Sequence, residues 1–136
     1  VGDSLRPTEE TAPIRRERRK AEPAVEPGPG AIDLVHLRQA TFGDEALASE
    51  VLGLFDAQAE RLLAAIAGAP DERARREAAH TLKGAALGIG AHAVADAAAE
   101  LETVAGDPER FGGALAHLSA LVAVARLAIV GLTTRS

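Results

Sequence analysis

Cysteine, tryptophan and tyrosine are absent from the 136-residue chain, and phenylalanine occurs three times. The lack of cysteine excludes disulfides, thiolate metal sites and cysteine nucleophiles together, and it is compatible with a reducing cytosol. With so few aromatics, the core that a 47% hydrophobic composition allows must be built from Leu, Val, Ile and Ala. Such a core suits closely packed helices better than a sheet, because alanine is the best helix former and a poor strand former. No apolar run of about 18 residues and no signal-peptide layout stand out, which predicts a soluble, cytoplasmic protein without a membrane partner. The length fits one domain of common size. Val1 at the start fits either removal of an initiator methionine or a piece of a longer protein.

The net charge of −5 is placed unevenly. Residues 1–30 hold six basic and six acidic groups, whereas the other 106 residues hold nine basic and fourteen acidic ones. An acidic globular part argues against nucleic acid as a partner, since that binding depends on neutralising phosphates. Residues 1–30 also carry five of the seven prolines and show no hydrophobic periodicity. The stretch "EPAVEPGPG" cannot propagate a helix, so 1–30 reads as a disordered Pro/Arg-rich tail or linker. Its "RRERRK" run is either a solvated tail or a contact for an acidic partner.

From Ile32 onward the pattern is helical. A short segment, "IDLVHLRQA", is followed by a long helix opened by Gly43 and capped by Asp44, with Leu47, Val51, Leu54, Phe55, Leu62 and Ile66 at spacings of three and four. "GAPDE" breaks the chain at 68–72, and Asp71 caps a third helix that Gly90 closes after about Ile89. A fourth helix carries Val94, Ala97, Leu101 and Val104. After "GDPER", with Pro108 suited to a first turn, the last helix carries Leu115, Leu118, Val122, Ala125 and Ile129. The expected fold is all-α: an antiparallel four-helix bundle over 31–132 with a short extra N-terminal helix.

The third helix holds the sharpest signal. At 100° per residue its core stripe is Ala78, Leu82, Ala85 or Ala86, and Ile89, so His80 faces away from the core. Arg73, Arg76, Glu77, Lys83, Gly84, Leu87 and Gly88 share its face. A lone helical histidine is most often an ordinary surface residue. Two glycines beside it change that reading, because each costs roughly 1 kcal/mol relative to alanine in an exposed helix interior. Bare backbone beside an imidazole gives a bulky visitor room to reach the ring, and Lys83 supplies positive charge for an anion attached to it. The combination points to a nucleophilic histidine that receives a phosphoryl group and passes it on.

"HTLKGAALGIGA" resembles the signature of histidine-containing phosphotransfer (HPt) domains, a histidine followed by x-Leu-Lys-Gly and a later glycine. Here these are His80, Leu82, Lys83, Gly84 and Gly90. "GDEAL" at 43–47, "LFDAQAERL" at 54–62 and "ADAAAELE" at 95–102 fit the surrounding helices of that family, so the resemblance spans roughly 32–130. It implies a phosphorelay intermediate, a histidine phosphotransfer protein rather than an ATP-using kinase. His80 is then the phosphorylated residue, exchanging with aspartates of receiver domains on response regulators and on a hybrid histidine kinase. Lys83 steadies the phosphoryl oxygens, and Gly84 clears the approach. No cofactor is implied on this chain, the magnesium ion (Mg2+) belonging to the partner receiver. Arg76, Leu87 and Gly88 are the expected partner-binding residues. Leu87 is bulkier than the small or polar residue expected there, and reads best as an apolar docking contact. One histidine per bundle suffices for the chemistry, so a monomer is expected.

Two other readings remain: a docking module whose His80 never turns over, and a dimerisation domain with an incidental histidine. No Gly-rich nucleotide loop is present. The four serines, Ser4, Ser49, Ser119 and Ser136, lie outside any nucleophile elbow. His36, His92 and His117 form no zinc-binding pair on one helix and are expected to be structural or solvent-facing.

Overall fold

The computed structural model describes residues 30–134, so the expected tail over 1–30 falls almost wholly outside the described residues. Five helices lie within them: α1 (Leu34–Ala40), α2 (Glu45–Ala67), α3 (Glu72–Ile89), α4 (His92–Thr103) and α5 (Pro108–Thr133). Aspartates start four of the five. Asp33, Asp44, Asp71 and Asp107 each accept a hydrogen bond from a backbone N–H in the first turn, satisfying donors that have no partner inside the helix. Pro108 occupies the first turn of α5, where its missing N–H is not needed. α4 begins at Ala91 without a side-chain cap, because it follows α3 through a single tight reversal at Gly90.

The four long helices α2–α5 pack in cyclic order, α3 against α2 and α4, and α5 against α4 and α2. Short connections make successive helices antiparallel, as the sequence predicts. The core is aliphatic: Ile66, Leu82, Val94, Leu101, Leu118 and Val122 are fully buried, with Phe55 as a buried aromatic. Each such side chain contributes about 1.5–3 kcal/mol of apolar burial. Ile32 is fully buried where α1 lies over the end of α3, and Asp33 donates its N–H to the Gly90 carbonyl at 2.9 Å.

Three expectations need correction. In α2 the buried stripe is Leu52, Phe55, Ala59 and Ile66, whereas Leu54 is exposed and Val51 and Leu62 are half-buried. α2 packs between α3 and α5, and that rotates its buried side away from Leu54. In α3 the stripe is Ala79, Leu82, Ala86 and Ile89, with Ala78 and Ala85 only half-buried. The rotation follows from the broad packing of α3 on α4, which small side chains at Ala79 and Ala86 permit. Finally, α5 is long and apolar enough to cross a membrane by length and composition, with a window of mean hydropathy 2.0. In the sequence His117, Ser119 and Arg126 interrupt the apolar residues of this helix, and Arg126 pairs with Asp56 on α2 at 2.6 Å.

Candidate functional site

His80 sits in the middle of α3 with its side chain 68% exposed. Its Nδ1 lies 3.0 Å from Oε2 of Glu102, near the C-terminal end of α4. The other carboxylate oxygen of Glu102 lies 3.0 Å from Nζ of Lys83. One carboxylate therefore bridges the two residues that the sequence placed on a common face. Glu102 is largely covered, at 19% exposure, while Lys83 keeps 31%. Partial burial pushes the Glu102 carboxyl up, but hydrogen bonds from Lys83 and His80, together with their charges, outweigh it and hold it below the usual carboxylate range.

An ionised carboxylate only accepts hydrogen bonds, so a neutral His80 facing it carries its proton on Nδ1. The lone pair then belongs to Nε2. Among the described residues Nε2 has no hydrogen-bond partner, and it is the nitrogen left for an incoming electrophile.

The surroundings keep that approach open. A Cβ built on Gly84 or Gly88 meets nothing within 4 Å, and both glycines are exposed. Gly84 is thus not required by packing between helices. Leu87 is exposed, one and two turns beyond Gly84 and His80 along the same face. Arg76 is held rather than free: it pairs with Glu72 and donates from Nε to the Glu102 carbonyl at 3.3 Å. Arg73 and Glu77 form an exposed ion pair at 3.1 Å.

Gly90 acts from a distance. Its φ of +79° places it in the left-handed region, and a Cβ there would stand 2.9 Å from both Cβ and the carbonyl oxygen of Asp33. This glycine fixes the α3–α4 reversal and so the register that brings Glu102 opposite His80.

Glu102 is the residue that sequence reasoning missed. It is one acid among fourteen after residue 30, and helical periodicity does not mark it. The signal lies in the turn: His80 precedes Gly90 by about as many residues as Glu102 follows it, and an antiparallel hairpin brings such positions together. The remaining histidines lie elsewhere. His36 and His92 meet edge to face with centroids 5.9 Å apart, and His92 Nε2 lies 3.1 Å from Asp33 Oδ2. The His36 backbone N–H and then the His92 ring hold the Asp33 carboxyl below its ordinary value. His117 is exposed on α5.

The Hpt domain family matches residues 48–129 of the chain, more than half of its length. The fold is similar to the crystal structure of a rice protein described as a histidine-containing phosphotransfer protein, with a TM-score of 0.68 and 23% identity over 77% of this chain and 81% of that one. Comparison with curated proteins gave no match.

Proposed function

The chain belongs to the Hpt domain family, a family of phosphotransfer in phosphorelays, and we propose that His80 is its phosphorylated residue, loaded from an aspartyl phosphate of one receiver domain and unloaded onto the aspartate of another. The observation that carries this reading is the exposed imidazole with Nδ1 tied to Glu102 and Nε2 unengaged.

The Nε2 lone pair attacks phosphorus in line with the bond to the donor carboxylate. The N–P bond forms as the P–O bond breaks, and the bonding pair leaves with the donor aspartate. The ring, still protonated on Nδ1, gains positive charge, which the Glu102 carboxylate offsets 3.0 Å away. Transfer to the second receiver runs the same steps in reverse. Lys83, within reach on the next turn, exchanges its Glu102 contact for the phosphoryl oxygens. The chain supplies positioning and charge compensation, the main protein contributions to phosphoryl transfer. Magnesium would be held by the receiver's carboxylates, and Arg76, Leu87 and the bare backbone at Gly84 and Gly88 would border the docking face.

Phosphorus NMR after treatment with phosphoramidate, beside a His80→Gln control, is the first test. An acid-labile phosphohistidine signal in the wild type and none in the control is expected, followed by its loss on addition of an unphosphorylated receiver with magnesium. A folded wild type that takes up no phosphoryl group would overturn the proposal in favour of a docking module without turnover.

A further inference from the structure

α5 has a second patterned face. Directly opposite its buried side, Gly113, Ala116, Ala120, Ala123, Leu127 and Val130 recur at alternating spacings of three and four, and all six are exposed. Leu127 is 73% exposed and Val130 54%. Such spacing is the seam of a helix that packs lengthwise against another helix, yet among the described residues nothing covers it.

The charge distribution narrows the occupant. α5 carries only Glu109, Arg110 and Arg126 as charged side chains. Arg126 is drawn to the side of the helix by Asp56 and Glu60, and the other two precede the seam. In a chain of net charge −5 this face offers no charge to a partner. A second copy can therefore approach here without burying an unpaired charge. Residues 1–29 are a poor match, since twelve of their side chains are charged and five are proline.

The order of residue sizes then selects the arrangement. The seam has small residues at its N-terminal end and large ones at its C-terminal end. A two-fold axis midway between Ala120 and Ala123 sets Leu127 of one copy over Ala116 of the other, Val130 over Gly113, and Ala120 over Ala123. Every large side chain meets a small one. A parallel pairing would stack Leu127 on Leu127 and leave the glycine and alanine end gaping. We infer that the outer face of α5 is an isologous, antiparallel contact between two copies of this chain.

The contact replaces the monomer expected from the sequence, and it is independent of the chemistry at His80. α3 and α5 occupy opposite corners of the bundle, so both histidines of the pair stay open to receivers. A strip about 27 Å long and one helix diameter wide is smaller than the ~800 Å² each partner gives to a standard interface. The dimer is accordingly weak and concentration-dependent.

Sedimentation velocity of the full chain from about 1 μM to about 1 mM is expected to show a reversible monomer–dimer equilibrium. Leu127→Glu should raise the dissociation constant more than about tenfold by setting a charge into the seam, with an unchanged circular dichroism spectrum because the side chain is exposed. Register is read with cysteines, which the native chain lacks. Ala116→Cys mixed with Leu127→Cys should form a mixed disulfide in preference to either variant with itself. A monomer at every concentration, a dimer indifferent to Leu127→Glu, preferential self-linking at position 127, or binding to phosphatidylglycerol vesicles without self-association would each overturn the inference.

Discussion

Glu102 Oε2 stands 3.0 Å from His80 Nδ1, across the seam between α3 and α4. With its other oxygen on Lys83, the carboxylate sets the ring's tautomer and stores the lysine beside the position a phosphoryl group would take. Removing its charge tests the arrangement. Glu102→Gln keeps an acceptor for Nδ1–H but offers nothing against the positive ring, so loading of His80 from phosphoramidate should slow by about tenfold or more, as followed by phosphorus NMR.

The same residue predicts a pH dependence of stability. Burial pushes the Glu102 carboxyl up, but hydrogen bonds from Lys83 and His80 hold it below its ordinary value in the folded protein. Its stabilisation is therefore complete above that value and is lost as pH falls through the lower, folded one. Urea denaturation of wild type and Glu102→Gln should show the wild type ahead near neutrality. The gap should close as pH falls below the ordinary carboxylate range. A gap that widens on acidification would contradict the bridge.

Lys83→Met removes the cation and keeps the length of the stem. Loss of one charge-assisted contact to the phosphoryl group should slow exchange with a receiver by about tenfold. The thermal unfolding temperature should fall modestly, because the largely covered Glu102 carboxylate loses one of its two partners and keeps only His80. Stopped transfer assays with a phosphorylated receiver supply the measurement.

Gly84 separates access from stability. Gly84→Ala should raise unfolding free energy by about 1 kcal/mol, since an exposed helix interior gains from the better helix former and the new methyl meets nothing. Gly84→Gln should stay folded and still be loaded by phosphoramidate, yet fail to exchange with a receiver. Normal receiver exchange by that variant would sink the account of the bare backbone.

Gly90→Ala should do the opposite. With φ at +79° and Asp33 atoms 2.9 Å from the added carbon, the substitution should cost about 2–3 kcal/mol of stability in urea denaturation. It should also slow loading of His80, because the reversal at Gly90 sets the register between His80 and Glu102.

Local chemistry was legible without coordinates. Asp44 and Asp71 as caps, Gly90 as a left-handed terminus and Pro108 in a first turn are choices made within a few residues, and each is realised. His80, Lys83 and Gly84 share a face because helical geometry alone requires it. The buried stripes of α2 and α3 were displaced, at Leu54 and at Ala78, because the direction in which a helix buries itself depends on where its neighbours lie.

The sequence by itself determined where α2, α3 and α5 start and where α3 stops, that the core is aliphatic, and that an exposed histidine has open backbone beside it. These follow from intrinsic backbone preferences and from a period of 3.6 residues. Only the tertiary structure decided that Glu102, 22 residues away from His80, closes on both His80 and Lys83, and that among the described residues nothing lies over the outer seam of α5. Both are consequences of the rotation and register of one helix against another, which packing sets across the whole bundle.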